Sequence, residues 1–574
     1  MKHAFFAVCL CAAILQAGER SRPAPRPISV YINWAAYDEL SDNVELTEEL
    51  ALRQLNEVLR LRRLGVRIDY YVNDCFWFSK EGGYRSFRKP HWPNGPDRWL
   101  EACRRNGLKP GLWVATNTLR GLTPLPEWKD SLNRSGDALC LFEGGYLRHF
   151  IGSLQYWYDR GVRLYKFDFS NFEAATPAAE KKYTREEIVR RNMDAFRNAL
   201  FEFREKNPEV VLIAYNGFGS EQRGTFAPFR KSVDLSWLDV FDSIYCGDPR
   251  PADVPAINFW RSKDIYSDHM VRRFEQDNFP LERIDNSAFI IGTTGTCYNR
   301  RTSAWKGMLI LSLARGGWVN TYYGNLELLT EDDARWFAKA QSMFMRLQEL
   351  GRTRTFGAVP GEGKPYGYVS AGETGEIYTV VNPSQSILKV DLPAKGEGRV
   401  LFRDAGFVPV LSGGAITLGP EQMAVVGFGR YADASFDLGV QEDVVIPTRI
   451  RPLAAQFKQT ARGELTGTVT VPAGEDLRII MQQFGKDGYP LRTTGGSPPD
   501  GTSLGKLLRI TATQDGKELP IEIQYDKAIW SGLSWAAGEI KARDLDPGKP
   551  VTIRFTTEEK QVHRMTAQTY GVVY

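Results

Sequence analysis

Acidic residues follow three of the apolar, β-prone segments of the chain. Asp74, Asp168 and Asp248 stand at or just after the ends of such segments, and Lys166 lies two residues before Asp168. Side chains two residues apart on a strand point to the same face, so Lys166 and Asp168 are predicted to lie side by side. A neighbouring ammonium favours an ionised carboxylate, as a nucleophile requires. A purely structural ion pair is the alternative.

Aromatic and polar side chains accompany these acids. Trp34, Trp77 and Trp113 lie at further segment ends, as do Asn216 and Arg250, and all five are candidate substrate-binding residues together with Asp74 and Lys166. A tryptophan ring stacks on the apolar face of a sugar, although packing in the core is the alternative for each ring. Two carboxylates among aromatic rings are what hydrolysis of a glycosidic bond requires: one attacks the anomeric carbon and the other protonates the leaving oxygen.

The elements that must position these residues alternate between β-prone and helical segments. Strands are predicted at 28–32, 66–72, 109–115, 162–169, 210–215, 240–245, 288–292 and 317–322. Apolar periodicity predicts helices at 46–64, 98–106, 185–206 and 330–350, and a polar stretch at 261–269 predicts a solvated or interface face of another helix. The alternation predicts a (β/α)8 barrel over 28–350, in which the C-terminal ends of the strands form the active site.

The pattern changes after Gly351, where short β-prone runs alternate with Gly, Pro and Asp turns. Two all-β antiparallel sandwich domains are therefore predicted, at 351–431 and 436–574. Trp530 and Trp535 indicate a carbohydrate-binding platform in the last domain, and a plain scaffold is the alternative.

Residues 1–17 combine Lys2, an apolar run over 4–15 and a small residue, Ala17, before a polar stretch. This predicts a cleaved signal peptide and an exported chain, either secreted or periplasmic. The run is too short for a membrane anchor, and no later segment is long enough to span a bilayer.

Charge and motif content exclude several classes of protein. The 73 basic and 69 acidic residues leave a net charge of +4, which argues against a nucleic-acid or membrane-surface partner. CxxC, HExxH and Walker lysine motifs are missing from the sequence, so no metal or cofactor is predicted. The five cysteines after residue 17 are too few for a disulfide scaffold, and their pairing stays open.

Three motifs carry a family resemblance. The sequence Lys166-Phe167-Asp168 resembles the fourth-strand motif of the α-galactosidase superfamily, glycoside hydrolase families 27 and 36 of clan D. Residues 71–77 resemble the family's second-strand motif, and 91–95 followed by 107–113 are similar to its next loop and third strand. The resemblance implies that Asp168 is the catalytic nucleophile and that Asp74 binds substrate.

The sequence also departs from the family pattern. Asn73 replaces the first of two aspartates that grip sugar hydroxyls, which weakens the preference for galactose. The family places its acid/base aspartate after the sixth strand, and Asp248 is the corresponding candidate. The alternatives for this role are Asp242, Asp253, Asp264 and Asp268.

The resemblance implies an exported, retaining exo-α-glycosidase, in first place an α-galactosidase, that removes terminal α-linked galactose from an oligo- or polysaccharide by double displacement. One alternative keeps this machinery with α-N-acetylgalactosaminidase or β-L-arabinopyranosidase specificity. Another is a barrel protein that binds carbohydrate without catalysis. The natural glycan, its linkage and the oligomeric state stay open.

Overall fold

The computed structural model describes residues 27–37, 44–75, 77–218, 234–247, 250–292, 302–493, 508–524 and 533–574. The predicted signal peptide, Trp530 and Cys297 lie outside these ranges, so the expectations that concern them stay predictions.

Eight parallel strands close into a barrel, as the sequence predicts. The barrel consists of β1, β2 and β5–β10, paired in sequence order, and Ile28 on the first strand lies opposite Val319 on the last. A hairpin of β3 and β4 is inserted after β2. The bounds are β1 Ile28–Ile32, β2 Tyr70–Asn73, β3 Phe78–Ser79, β4 Gly83–Phe87, β5 Lys109–Ala115, β6 Leu164–Asp168, β7 Val211–Ala214, β8 Ser243–Tyr245, β9 Ile284–Ile291 and β10 Val319–Gly324.

Helices lie between the barrel strands. Their bounds are α1 Glu48–Arg63, α2 Asp97–Arg105, α3 Tyr146–Tyr158, α4 Pro177–Lys182, α5 Arg185–Lys206, α6 Phe259–Gln276, α7 Trp305–Ala314 and α8 Glu331–Gln348. Threonines begin several of them: Thr184 before α5 and Thr330 before α8 each form a reciprocal capping box with an acidic residue of the first turn. On α5 the buried residues recur every three to four positions, which turns one face of the helix to the barrel.

Strands β2 and β8 begin markedly later than predicted because neighbouring elements use the intervening residues. The amide of Val66 donates to the Leu61 carbonyl and helps to close the end of α1, so β2 begins only at Tyr70. A 3₁₀ helix at Leu235–Asp239 precedes β8, which begins at Ser243 instead of 240.

The barrel interior is filled by alternate side chains of its strands. Val72 on β2, Leu164 on β6 and Ile213 on β7 belong to one buried cluster. On β5 a Cβ atom at Gly111 would lie 2.8 Å from the side chain of Val72 and 3.2 Å from that of Leu164. The lower barrel is therefore a packed core, and polar side chains nearer the C-terminal ends of the strands stand above it.

Four sheets follow the barrel, which confirms the predicted all-β regions. Two have the orders β11-β12-β13-β18-β15-β19 and β14-β17-β16, and the last two have the orders β20-β28-β23-β26 and β21-β22-β27-β24-β25. The bounds are β11 Thr353–Gly357, β12 Tyr366–Ala371, β13 Gly375–Val381, β14 Leu388–Asp391, β15 Gly398–Gly406, β16 Val410–Ser412, β17 Ala415–Leu418, β18 Met423–Gly429, β19 Gly439–Ile446, β20 Arg449–Pro452, β21 Ala455–Ala461, β22 Glu464–Thr470, β23 Asp476–Phe484, β24 Leu508–Gln514, β25 Lys517–Glu518, β26 Trp535–Ile540, β27 Pro550–Thr557 and β28 Arg564–Val573.

Strand β19 lies beyond the boundary proposed near residue 436 but belongs to the earlier sheet. It pairs with β15, from Phe402 opposite Gly439 to Gly406 opposite Ile446, and this pair is parallel. The strands of the last two sheets begin at Arg449, so the change of sheet falls after Ile446.

The polar stretch 261–269 lies on α6 and is buried, so the expectation of a solvated face is wrong and its interface alternative holds. Asp268 is 1% exposed and forms an ion pair of 3.1 Å with Arg315 at the end of α7. The hydroxyls of Tyr366 and Tyr368 on β12 donate to the same carboxylate at 3.0 and 2.8 Å. The polar face of α6 thus joins the barrel to the first large sheet.

Trp535 is also buried, contrary to the predicted carbohydrate platform. Its indole N–H donates to the Ala252 carbonyl at 2.9 Å, and its ring lies 6.3 Å from that of Phe259. The side chain therefore joins the last domain to the barrel and has no surface for a glycan. Separately, none of the helices in the described ranges is both long and apolar enough to cross a bilayer.

Candidate active site

Strand β6 brings two of the predicted residues to the barrel mouth. Leu164 belongs to the interior cluster, so alternation turns Lys166 and Asp168 inward above it. The ion pair of Lys166 is formed with Asp74, which follows β2: the distance from Nζ to Oδ2 is 2.9 Å, and both side chains are almost fully buried. Three of the predicted site residues thus meet at one end of the barrel.

The Asp168 carboxylate accepts hydrogen bonds from three N–H groups. The Trp113 indole donates to Oδ2 at 3.1 Å, and the backbone amides of Phe169 and Asn216 donate to Oδ1 at 2.9 and 3.1 Å. Donors of this kind stabilise the charged form of a carboxylate. Asp168 is therefore held in one orientation, and its environment favours the anion that a nucleophile requires.

Backbone strain marks the ends of two barrel strands. Phe169, directly after Asp168, has a φ of 48°, and Ala35, directly after Trp34, has a φ of 60°. Side chains other than glycine rarely adopt this left-handed region, and such residues cluster at functional sites. The guanidinium of Arg120 lies 3.6 Å from the centroid of the Phe169 ring and helps to hold this turn.

The charge of Lys166 is set by its neighbours. Burial alone lowers the pKa of this ammonium group, but the negative charge of Asp74, supported by Tyr323 and Asp168, outweighs burial and raises the pKa above its usual value. Lys166 is therefore a cation at neutral pH, and it offers its charge to both carboxylates.

Asp74 is held by the turn in which it lies. The backbone amide of Asp74 donates to Asn33 Oδ1 at 2.9 Å, and the backbone amide of Cys75 donates to Asp74 Oδ1 at 2.9 Å. Asn33 Nδ2 in turn donates to Asn73 Oδ1 at 2.7 Å. Asn73, the departure from the family pattern, thus contacts Asn33 at the base of this turn.

The other predicted binding residues differ in their placement. Trp34 is half-buried at the mouth, with its ring 5.8 Å from the Tyr323 ring, and Asn216 is half-buried beside Asp168. Arg250 is half-buried in the segment after β8. Trp113, by contrast, is fully buried and contacts Asp168 through its indole nitrogen. It therefore orients the carboxylate instead of offering a ring face to sugar.

Trp77 lies in the core outside the barrel mouth. Its indole donates to the Trp113 carbonyl at 2.8 Å, and its ring packs 4.5 Å from Phe87 and 5.9 Å from Trp157. Because Trp77 is buried among aromatic neighbours, it is not a substrate contact, and the alternative of core packing is correct.

Asp248, the acid/base candidate, lies outside the described residues, so its role stays a prediction. Of its competitors, Asp242 lies at the opposite end of the barrel from Asp168, because it precedes β8. It forms a two-pronged ion pair with Arg204 at 2.7 and 2.8 Å and accepts the Leu212 amide. Its place in the barrel excludes it from the mouth.

Each of the remaining competitors is committed to an ion pair with an arginine. Asp253 pairs with Arg492 of the last domain at 3.0 Å, and burial raises its pKa to about 6 although the Arg492 charge opposes this. Asp264 pairs with Arg261 on α6 at 2.9 Å, and burial raises its pKa to about 7 against the opposing Arg261 charge. Asp268 is held by Arg315 and the two tyrosines of β12.

Sequence reasoning missed the floor of the site. Tyr215, directly after β7, and Tyr323 on β10 point into the barrel beside Lys166, and their hydroxyls are 2.5 Å apart. The signal was present, because Tyr215 continues the inward-facing side of β7 that carries Val211 and Ile213.

Metal-binding clusters of three or more His, Cys, Asp or Glu side chains do not occur within the described ranges. Cys75, Cys103 and Cys140 are free thiols and are buried, and Cys246 is buried as well.

No known protein-family profile matches the chain, and no curated protein sequence matches it. Solved structures do match. The α-galactosidase from Lactobacillus brevis aligns with a TM-score of 0.50 and 10% identity over 70% of this chain and 55% of that chain. The GH36 α-galactosidase AgaA from Geobacillus stearothermophilus aligns with a TM-score of 0.49 and 16% identity over 70% of this chain and 56% of that chain.

The chain spans little more than half the length of these solved neighbours. At such low identity the likeness is one of fold. The chain shares its barrel-and-sheet fold with the α-galactosidase from Lactobacillus brevis.

Proposed function

We propose that the chain is a glycoside hydrolase, a retaining exo-α-glycosidase that removes terminal α-linked galactose from oligo- or polysaccharides. The observation that carries the proposal is the setting of Asp168: a carboxylate at the C-terminal end of a barrel strand, held by three N–H donors and adjacent to the Lys166–Asp74 ion pair. The fold supports the same class of reaction.

In the proposed reaction an oxygen of Asp168 attacks the anomeric carbon while Asp248 protonates the departing glycosidic oxygen. A covalent glycosyl-enzyme results. Asp248 then removes a proton from water, which attacks the same carbon, and the bond to Asp168 breaks. Retention requires the two carboxyl groups to lie about 5 Å apart, and a gap above about 6.5 Å would give inversion.

Asp74 and Lys166 are proposed to hold the terminal sugar. Asp74 offers acceptors to two adjacent hydroxyl groups, and Lys166 has further N–H donors beyond the one that it gives to Asp74. Trp34 stands at the rim and is only partly buried, so it is proposed to stack on the sugar. Because Asn73 weakens the inference that the terminal sugar is galactose, the test includes substrates with related terminal sugars.

The test is hydrolysis of aryl α-galactoside, α-N-acetylgalactosaminide and β-L-arabinopyranoside by the wild type and by Asp168→Asn, Asp248→Asn and Asp242→Asn. We expect hydrolysis by the wild type and by Asp242→Asn, and loss in the two active-site variants. Azide should give a product of retained configuration with Asp248→Asn and of inverted configuration with Asp168→Asn.

Three outcomes would contradict the proposal. Hydrolysis by Asp168→Asn at the wild-type rate would rule out Asp168 as the nucleophile. A first-formed sugar of inverted configuration would rule out the double-displacement mechanism. Binding of glycans without hydrolysis of any of them would establish a non-catalytic barrel instead.

We also propose that the chain is exported, on the strength of the charge and apolar pattern of residues 1–17. Expression with those residues should deliver a chain that begins after Ala17 to the medium or periplasm, and expression from Gly18 should leave it in the cytoplasm. Mass spectrometry of the fractions decides, and a cytoplasmic chain that retains residues 1–17 would refute export.

A further inference from the structure

A buried carboxyl group lies inside the barrel and takes no part in the proposed reaction. Asp285 on β9 has no exposed surface, and the Thr321 hydroxyl donates to its Oδ1 at 2.6 Å. Burial raises the pKa of Asp285 to about 6, while hydrogen bonds from Thr321 and Tyr215 and the charge of Lys166 oppose the rise. Asp285 therefore lies near Tyr215 and Lys166, and its Oδ2 has no hydrogen-bond partner among the described residues.

Tyr215 is fixed on several sides. Its hydroxyl lies 2.5 Å from that of Tyr323, and its ring stacks on Tyr245 at 4.1 Å with an interplanar angle of 12°. All three tyrosines belong to the buried interior cluster of the barrel. The two hydroxyl-linked rings, Tyr215 and Tyr323, are called the tyrosine floor below.

The ammonium of Lys166 rests on this floor. Its Nζ lies 4.2 Å from the centroid of the Tyr215 ring and 5.4 Å from that of Tyr323, while it donates to Asp74 at 2.9 Å. A desolvated cation over an aromatic face is attracted strongly. Lys166 is thus held between a carboxylate and two ring faces, all buried.

We infer that the tyrosine floor is a positioning unit that fixes the Lys166 ammonium, and through it Asp74, for binding of the terminal sugar. The inference rests on the proposed function. Tyr215 and Tyr323 act through Lys166, so they are positioning residues.

The chemistry of the surrounding interior favours this role over simple filling of space. The cluster around the floor is otherwise rich in aliphatic residues such as Leu164, Ile213 and Ile290. Burial of hydroxyl and carboxyl groups costs free energy unless each is hydrogen-bonded. A position that only had to be filled is equally well served by an aliphatic side chain, whereas a buried cation is stabilised by aromatic ring faces.

The test compares Tyr323→Leu, which removes the ring, with Tyr323→Phe, which keeps it. Tyr322→Leu is the matched control, because Tyr322 is its neighbour on β10, equally buried, and bonded to Gln341 instead of the site. For each variant we would measure kcat and KM on the substrate that the wild type hydrolyses, thermal stability, and the distance from Lys166 Nζ to Asp74 Oδ2 in a crystal structure.

We expect Tyr323→Leu to lower kcat/KM about tenfold or more and to lengthen the Lys166–Asp74 distance, given the strength of a desolvated cation–π contact. Tyr323→Phe should retain most of the wild-type kcat/KM and keep the Lys166–Asp74 distance close to that of the wild type. Tyr322→Leu should lower thermal stability without a change in kcat/KM. Equal losses of kcat/KM in Tyr322→Leu and Tyr323→Leu, or an unmoved Lys166 in Tyr323→Leu, would overturn the inference.

The crystallographic distance separates this inference from the proposed function. If the wild type hydrolyses no glycoside, the proposed function fails, but displacement of Lys166 in Tyr323→Leu still supports the positioning unit. If the wild type is active and Lys166 stays in place in that variant, the function stands and the positioning unit fails.

Discussion

Removal of either partner of the Lys166–Asp74 pair should destabilise the barrel strongly, because each leaves a buried charge without its counterpart. The two side chains are 6% and 1% exposed, and their charged atoms are 2.9 Å apart. At an effective dielectric constant near 20, Coulomb attraction at that distance amounts to about 6 kcal/mol. Measured losses on breaking such a buried pair are about 3–5 kcal/mol, and we expect Lys166→Met to fall in that range.

A double-mutant cycle with Asp74→Asn measures the interaction itself. The double variant should lose less free energy of unfolding than the sum of the single losses, by about 2 kcal/mol, because neither charge is then left alone. Hydrogen exchange of peptides that span β2 and β6, measured across a series of urea concentrations, reports the barrel separately from the sheet domains.

An exposed ion pair of similar length serves as the control. Lys549 lies 2.7 Å from Asp515, but both side chains are more than half exposed, so Lys549→Met should change stability little. Additive losses in the buried cycle would refute the reasoning, since they would mean that Lys166 and Asp74 do not depend on each other.

Three further results are expected. Because the pKa of Asp285 is raised to about 6, the stability of the wild type should fall by up to about 3 kcal/mol as pH rises from about 4 to 6. In Asp285→Asn the thermal unfolding temperature should depend less on pH over that window. Trp113→Phe removes a donor to Asp168 and should lower kcat about tenfold or more in steady-state assays. Gly217→Ala, whose Cβ would overlap a side chain after β6, should lower kcat and thermal stability; Gly121→Ala, in open space, should leave kcat unchanged. An unaltered pH profile in Asp285→Asn, or an unaltered kcat in Trp113→Phe or Gly217→Ala, would contradict the respective expectation.

The barrel could be predicted because its signals are local. The apolar runs of β1 and β5 predict both strands to the residue. Helix α7 was missed because it is apolar on all sides and shows no period of three to four residues. Helix α3 carried the expected spacing in Tyr146, Phe150 and Trp157, but its aromatic composition is typical of strands.

The candidate site could be predicted only in part. Alternation along β6 gave the shared face of Lys166 and Asp168. The partner of Lys166 is Asp74, which is 92 residues away and becomes a neighbour only when the barrel closes. The burial of α6 likewise depends on tyrosines that lie about 100 residues further along the chain.

The buried polar face of α6 limits how this chain can be recombined with others. The carboxylate of Asp268 is shared between Arg315 of the barrel and two hydroxyls of the following sheet, so neither half of the interface is complete on its own. A sheet domain grafted from another protein would have to bring hydroxyl donors to the places of Tyr366 and Tyr368. Without these donors the Asp268 carboxylate would lack two of its hydrogen bonds. The two domains of the chimera would then dissociate at this interface before either domain unfolded.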